Sequence, residues 1–415
     1  MKLEFTRMTR RAVLAATLAA GMSVAVGACA SSGPGAGSSS EAKTLVLWDY
    51  QQEPGKEYLK RLSDYTAETG VEIERVGIKY EDFLGKILQA AAANKLPDVI
   101  MIDNPWNSAL AAEGVLTDLT DRVEEWGEWD QYYDGPAESA TWDGKIYGVP
   151  NESNNLIMYY DKTVFDEAGL AAPTTWDELS SAAQELTTDD RYGFSTSMIK
   201  SENSVFVFEA LLWQAGADLD SLDSPEALEA MEFLESLQET GAMSEEALSW
   251  DLRAGVTELV NGRSAIAFGG TWDGGWIAEN MENELGIAPL PAGPNGEASN
   301  LGGENWAITT TSKLQDEAWD LVTFAVDPDQ SMGYLIESGQ LPSRKDIAEA
   351  PEFAEEPFAT YIEQLQVARA RVYGPEYPRM ADALTQAFQS VLSGQQEPEA
   401  ALQEAASAIE PLLAK

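Results

Sequence analysis

Thr44-Leu45-Val46-Leu47-Trp48, Val71-Glu72-Ile73-Glu74-Arg75-Val76 and Pro97-Asp98-Val99-Ile100-Met101-Ile102-Asp103 are the stretches that decide the fold. The first and third are short apolar runs, as strands buried on both faces require, and the second alternates. Between them, Pro54 to Thr69 carries Leu59, Leu62 and Tyr65 near helical spacing, and Phe83, Leu84, Ile87, Leu88 and Ala91 make one apolar stripe. Strand, helix, strand, helix, strand, joined by right-handed crossovers, predicts an α/β domain on a mostly parallel sheet.

A second α/β region begins after Gly148-Val149-Pro150. Leu156 to Tyr160 reads as a strand, and Thr175-Trp176-Asp177-Glu178 is a capping box that opens a helix. Ser224-Pro225-Glu226 opens another, with an N-cap and a first-turn proline. Ala265-Ile266-Ala267-Phe268 predicts a strand ending in Gly269-Gly270, Trp306-Ala307-Ile308 a further one, and Glu399 to Leu413 a closing helix.

The chain has 415 residues, 44% of them hydrophobic, which is enough for a sizeable core and two or three domains. It holds 26 Lys and Arg against 70 Asp and Glu, a formal charge of −44 that repels phosphate backbones. Nucleic acid is therefore excluded as a partner. With no histidine, there is no Ser-His-Asp or Cys-His nucleophile and no imidazole metal site.

The single cysteine, Cys29, ends a leader. Lys2, Arg7, Arg10 and Arg11 precede an uncharged run from Ala12 to Gly27, so residues 1–28 read as a secretory signal peptide. Val26-Gly27-Ala28-Cys29 resembles a bacterial lipobox, which implies lipidation of Cys29 and an anchor on the outer face of the cytoplasmic membrane. Thr9-Arg10-Arg11 resembles a twin-arginine export signal, and both that route and the general one stay open. Residues 29–43, rich in Ser and Gly, form a flexible tether that has nothing to pack.

Searches for chemistry return little. No phosphate loop, dinucleotide fingerprint or cysteine pair is present, so neither a cofactor nor a metal is expected. Asp218-Leu219-Asp220 departs from a calcium loop and reads as an acidic turn before a helix. Glu245-Glu246 could serve glycoside hydrolysis only as one of many chance pairs. Trp48, Trp106, Trp272, Trp276 and Trp306 sit where strands end or beside glycine pairs. An aromatic face with polar neighbours beyond strand ends suits a sugar.

Gly144-Lys145-Ile146-Tyr147-Gly148-Val149-Pro150, Tyr159-Tyr160-Asp161-Lys162, Ala168-Gly169-Leu170 and Pro173-Thr174-Thr175-Trp176-Asp177-Glu178-Leu179 occur in that order. Asn261-Gly262-Arg263-Ser264-Ala265-Ile266-Ala267, Gly302-Gly303, Ser338-Gly339-Gln340-Leu341-Pro342-Ser343-Arg344 and Pro398-Glu399-Ala400-Ala401-Leu402 follow. The ordered set, spanning nearly all of 44–413, resembles the bacterial extracellular solute-binding proteins of the maltose- and glycerol-phosphate-binding type. The resemblance implies an α/β, two-lobed, periplasmic-binding-protein-like fold of type II, with several hinge crossings and the ligand in the cleft between lobes. It implies an N-terminal lobe of 44–152 plus 306–348 and a C-terminal lobe of 153–305 plus 349–415. The crossings fall near Pro150–Asn154, Gly302–Trp306 and Ile347–Phe358.

The same resemblance implies a job without catalysis: a monomer captures a di- or oligosaccharide by hinge closure and delivers it to the transmembrane subunits of an ABC permease. Carried over residue by residue, it assigns ligand contacts to Tyr80, Asn104, Asn154 and Trp272, the last as the sugar-stacking ring. Asp273 could bind a hydroxyl pair or cap the following helix. Asp49, Gly303, Glu304, Gln340 and Arg371 complete the set, with Arg369 or Tyr373 as alternatives to Arg371. Three rivals stay open: the same fold binding a phosphodiester, polyamine or peptide, a secreted glycosidase, and a purely structural surface lipoprotein.

Overall fold

The three opening strands pair as their patterns predict. In the computed structural model, which describes residues 43–51 and 54–413, β1 (Thr44–Asp49) lies between parallel neighbours β2 (Glu72–Gly77) and β3 (Val99–Asp103). The signal peptide, Cys29 and the tether up to residue 42 lie outside the described residues. Besides a short hairpin at 141–146, the chain continues through β4 (Val149–Pro150), β5 (Asn154–Asp161), β6 (Tyr192–Ser195) and β7 (Ser264–Gly270). Then come β8 (Leu285–Ala288), β9 (Ser299–Gly302), β10 (Glu304–Ile308) and β11 (Ala368–Ala370).

One sheet has the order β2-β1-β3-β10-β4 and the other β11-β9-β5-β7-β6, with β8 beside β5. Helices α1 (Lys56–Thr69) and α2 (Tyr80–Ala92) connect the parallel strands of the first sheet. Three later helices matter for the site: α3 (Glu202–Ala215), α4 (Pro328–Ser338) and α5 (Tyr377–Leu392). The closing helix forms over Pro398–Leu413. No helix among the described residues is long and apolar enough to cross a membrane.

Local signals act as their chemistry dictates, with one adjustment. Thr175 Oγ1 accepts from the Glu178 backbone N–H at 3.2 Å, but the Glu178 carboxylate reaches back to Thr174 N–H at 2.8 Å, one residue before the N-cap. Ser224 caps its helix by accepting from Ala227 N–H at 3.2 Å.

The chain passes between the sheets at 151–153 and at Gly303. Glu304 and Asn305 pair with Asp103 and Ile102 along the antiparallel β3–β10 ladder. They therefore join the first sheet, two residues ahead of the 305/306 boundary read from the sequence. The reason is steric: Gly303 has φ +135°, and a Cβ there would stand 2.2 Å from the Glu152 carbonyl oxygen, so only glycine lets the two crossings lie side by side. A third link is the backbone bridge between Ser153 and Leu341. Leu45, Met101 and Trp306 of the first sheet share one apolar cluster with Ile157, Tyr159 and Ala267 of the second. The hinge side is thus filled, and the functional groups lie at the strand ends.

Candidate functional site

In the first lobe the site starts where β2 and β3 stop. Tyr80 opens α2, and its hydroxyl donates to Asp103 Oδ2 at 2.6 Å. Its ring stacks on Trp106 at 5.1 Å between centroids with 28° between planes. Tyr50, just past β1, meets Tyr80 edge-on at 5.1 Å and donates its hydroxyl to Glu304 Oε1 at 2.5 Å. Asn104 N–H donates to Gly303 O at 3.0 Å, which ties the end of β3 to the second crossing.

The second lobe supplies the other wall. Arg371, just after β11, donates through Nη1 to Glu202 at the start of α3, and the Tyr377 hydroxyl donates to the same carboxylate oxygen. Its Nη2 lies 3.6 Å from Asp103 Oδ1, in the first lobe. The guanidinium carbon sits 5.0 Å from the centre of the Phe206 ring, and Phe206 lies 5.9 Å from Trp272. A continuous run of rings and charges therefore joins Trp106 and Tyr80 to Trp272 across both lobes.

Burial sets the electrostatics. Asp103 and Glu202 are held above the ordinary carboxyl range, chiefly because desolvation disfavours their charge, while Arg371 partly offsets it. Glu209, about two helical turns along α3 from Glu202, is pushed up to about 8 by the same burial. Burial opposes the charge on Arg371, yet Tyr377, Asp103, Glu202 and Glu209 around it keep the guanidinium protonated. Its positive charge is thus already matched from two sides. Further phosphate would face the carboxylates that match it, whereas hydroxyls could donate to those same oxygens.

The residues named from the sequence separate into two groups. Tyr80, Asn104, Gly303, Glu304 and Arg371 gather around Asp103. Asn154 and Phe206 converge on Gly302, where a Cβ would stand 2.0 Å from Asn154 Oδ1 and 3.1 Å from the Phe206 ring. Among the described residues, the side-chain amides of Asn104 and Asn154 have no hydrogen-bond partner, which leaves them free for a ligand. Trp272 is half-buried and packs over Gly270. Gln340 is buried with Oε1 unpartnered among the described residues, beside Gly339, which abuts the Thr271 carbonyl. Arg369 lies over Trp213 and Tyr373 bonds Asp218, which leaves Arg371 as the arginine of the site.

Asp49 and Asp273 do not join them. Asp49 is fully buried and saturated by Arg75 Nε and Nη2, each at 2.6 Å, by Tyr58 OH at 2.7 Å and by Gln51 N–H at 2.9 Å. It locks β1 to β2, and its lone pairs are spent on protein donors. Asp273 is equally buried, accepts from Gly270 N–H at 3.3 Å and pairs with Arg253 at 3.0 Å. Its carboxylate ties back to the turn before the helix at Gly274–Asn280 and makes no cap bond to that helix, so the capping role read from the sequence is not taken. Trp306, one of the strand-end tryptophans, is a core residue whose Nε1 donates to Asn151 at 2.8 Å.

Sequence reading missed Tyr50, Asp103, Glu202, Phe206 and Tyr377. One signal was available for the α3 contribution: Glu209 interrupts the run Val205-Phe206-Val207-Phe208-Glu209-Ala210-Leu211-Leu212, and a carboxylate within an apolar helix marks a polar function nearby. An open cavity of about 450 Å³ elsewhere in the second lobe is lined by Lys200, Gln386, Gln389 and Glu404, among others, and has no aromatic face. It lacks what the strand-end cluster has.

Comparison with known proteins identifies the family and the fold. The chain is 26% identical to the diacetylchitobiose-binding protein DasA of Streptomyces coelicolor, over 81% of this chain and 83% of that one. It is 25% identical to the maltodextrin-binding protein MdxE of Bacillus subtilis, over 90% and 89% respectively. An ABC transporter solute-binding protein of Thermotoga lettingae, solved with α-D-tagatose, superposes with a TM-score of 0.84 at 26% identity, covering 90% of this chain and all of that one. Residues 60–360 match the family model for bacterial extracellular solute-binding proteins, and with two sheets bridged at repeated crossings around one strand-end site, this chain belongs to that family.

Proposed function

We propose that the protein captures a di- or oligosaccharide between its lobes and delivers it unchanged to the membrane subunits of an ABC importer. One observation carries the reading: the rings of Tyr80, Trp106, Phe206 and Trp272, of which Tyr80 and Trp272 are only partly buried, follow a line on which Asp103, Glu202 and Arg371 place charged hydrogen-bonding groups. Pyranose rings present C–H faces and hydroxyl rims, and this line matches both. The sugar-binding relatives support it. The matched charge of Arg371 favours a polyol over a phosphodiester, and the two rings stacked near it favour a sugar over a peptide.

The protein works as a monomer, tethered through a lipid on Cys29 to the outer face of the cytoplasmic membrane. Cys29→Ser should then release it from the membrane fraction. Tryptophan fluorescence and melting temperature, followed during titration with malto- and chito-oligosaccharides, test the ligand class. A sugar at a hundred times its dissociation constant should add about 2.7 kcal/mol of stability. If no sugar moves either signal, the assignment fails, and release of new reducing ends would replace transport with hydrolysis.

A further inference from the structure

Glu304 lies directly opposite Asp103 on the antiparallel β3–β10 ladder. Side chains at such paired positions share one face of the sheet with Cβ atoms about 5 Å apart, and two acids placed there repel each other. A third acid, Glu202 of the second lobe, reaches the same point through Arg371, whose Nη2 stands 3.6 Å from Asp103 Oδ1. Little water screens them: Glu304 is 7% exposed, and the Asp103 and Glu202 side chains are 10% and 8% exposed. Among the described residues, Arg371 is the cation that pairs with Asp103 and Glu202, and none pairs with Glu304.

Two oxygens on this face keep lone pairs for a ligand. Glu304 gives Oε1 to the Tyr50 hydroxyl at 2.5 Å, while its buried Oε2 has no hydrogen-bond partner among the described residues. Asp103 gives Oδ2 to the Tyr80 hydroxyl at 2.6 Å, and 3.6 Å is too long for Arg371 to hydrogen-bond Oδ1. Tyr50 and Tyr80 thus spend their hydroxyl protons on the two acids, and what a ligand meets between these acids is acceptors.

We infer that the captured solute is a saccharide carrying a free ammonium group, held by the Glu304 and Asp103 carboxylates. The inference rests on the sugar reading given above and narrows it. A neutral hydroxyl could donate to either oxygen, but it would leave three carboxyl groups facing one guanidinium in a site that the ligand itself closes to water. Burial already disfavours the charge on Asp103, Glu202 and Glu304, and a neutral sugar adds to that cost. An ammonium supplies three donors and the missing positive charge in one group, and its bonds to carboxylates are of the strong, charge-assisted kind.

Calorimetric titration of the wild-type protein at about pH 6, below the ordinary range of amines, tests this. The ligands are trimers that share a β-1,4 backbone and differ at C2: glucose with a hydroxyl, glucosamine with an ammonium and N-acetylglucosamine with an amide. Malto-oligosaccharides and spermidine complete the panel. The glucosamine trimer should bind at least about tenfold more tightly than either neutral trimer, as a hydrogen bond to a charged group predicts. Equal or tighter binding of a neutral trimer, or binding confined to malto-oligosaccharides, overturns the inference and leaves sugar capture standing. Silence toward every sugar, with or without a response to spermidine, overturns both. Glu304→Gln keeps the side chain's shape and removes its charge, so the preference for glucosamine should fall about tenfold. An unchanged preference overturns the inference, and if the variant does not fold, the wild-type ranking decides alone.

Discussion

Arg371 Nη2, carried by the second lobe, lies 3.6 Å from Asp103 Oδ1 at the end of β3 in the first. Each partner is oriented by a neighbour on its own side, Asp103 by the Tyr80 hydroxyl and Arg371 by Glu202. The pair is therefore a tie between lobes whose geometry exists only when the lobes are together. Contacts of that kind let ligand binding bias a hinge, since they distinguish the closed arrangement from the open one.

Replacing Arg371 by Met should be strongly destabilising, because Asp103 and Glu202 would stay buried without their cation. Loss of one partner from a buried pair costs about 3–5 kcal/mol. Urea denaturation measures it, and adding Asp103→Asn should recover part of the loss.

Trp272→Ala should weaken sugar binding far more than it weakens the fold, since the ring is only half-buried. Loss of a stacked ring of this size corresponds to about 2 kcal/mol, roughly thirtyfold in affinity. Calorimetric titration beside a melting curve separates the two effects.

Asp49→Asn should do the opposite. Its bidentate pair with Arg75 joins β1 to β2, so stability should fall by about 3 kcal/mol while affinity stays within about twofold. A large loss of affinity at unchanged stability would return Asp49 to the ligand-binding group.

Glu209→Gln should change the pH dependence of stability. Burial raises the Glu209 carboxyl from 4.5 to about 8, so the folded state prefers it neutral. Its favourable contribution is complete below about pH 4.5 and disappears as pH climbs to about 8. The variant should match the wild type in acid and exceed it increasingly across that window, by up to a few kcal/mol. Denaturant titrations at a series of pH values would read out the difference.

Position along a strand did not distinguish the roles of Asp49 and Asp103. Both end apolar strands of the first sheet. Arg75 lies opposite Leu47 on the neighbouring strand, close enough for its side chain to saturate Asp49, whereas among the described residues Asp103 meets no cation of its own lobe and faces Arg371 instead. Trp272 and Trp306 also look alike in sequence, each closely following a glycine pair. One ends up half-buried over Gly270, and the other is enclosed by the sheet with its indole N–H satisfied.

The chain's own pattern determined the strands of the first sheet, the helix starts at Thr175 and Ser224 and the glycine crossing at 303, because periodicity, capping and steric freedom act over a few residues. The tertiary structure decided which charges meet. Arg371 and Glu202 are 169 residues apart and pair only because β11 and α3 converge on one sheet. The close approach of Gly303 to the Glu152 carbonyl likewise arises only where two crossings run side by side. Electrostatic partners depend on distance in space, and no local pattern carries that distance.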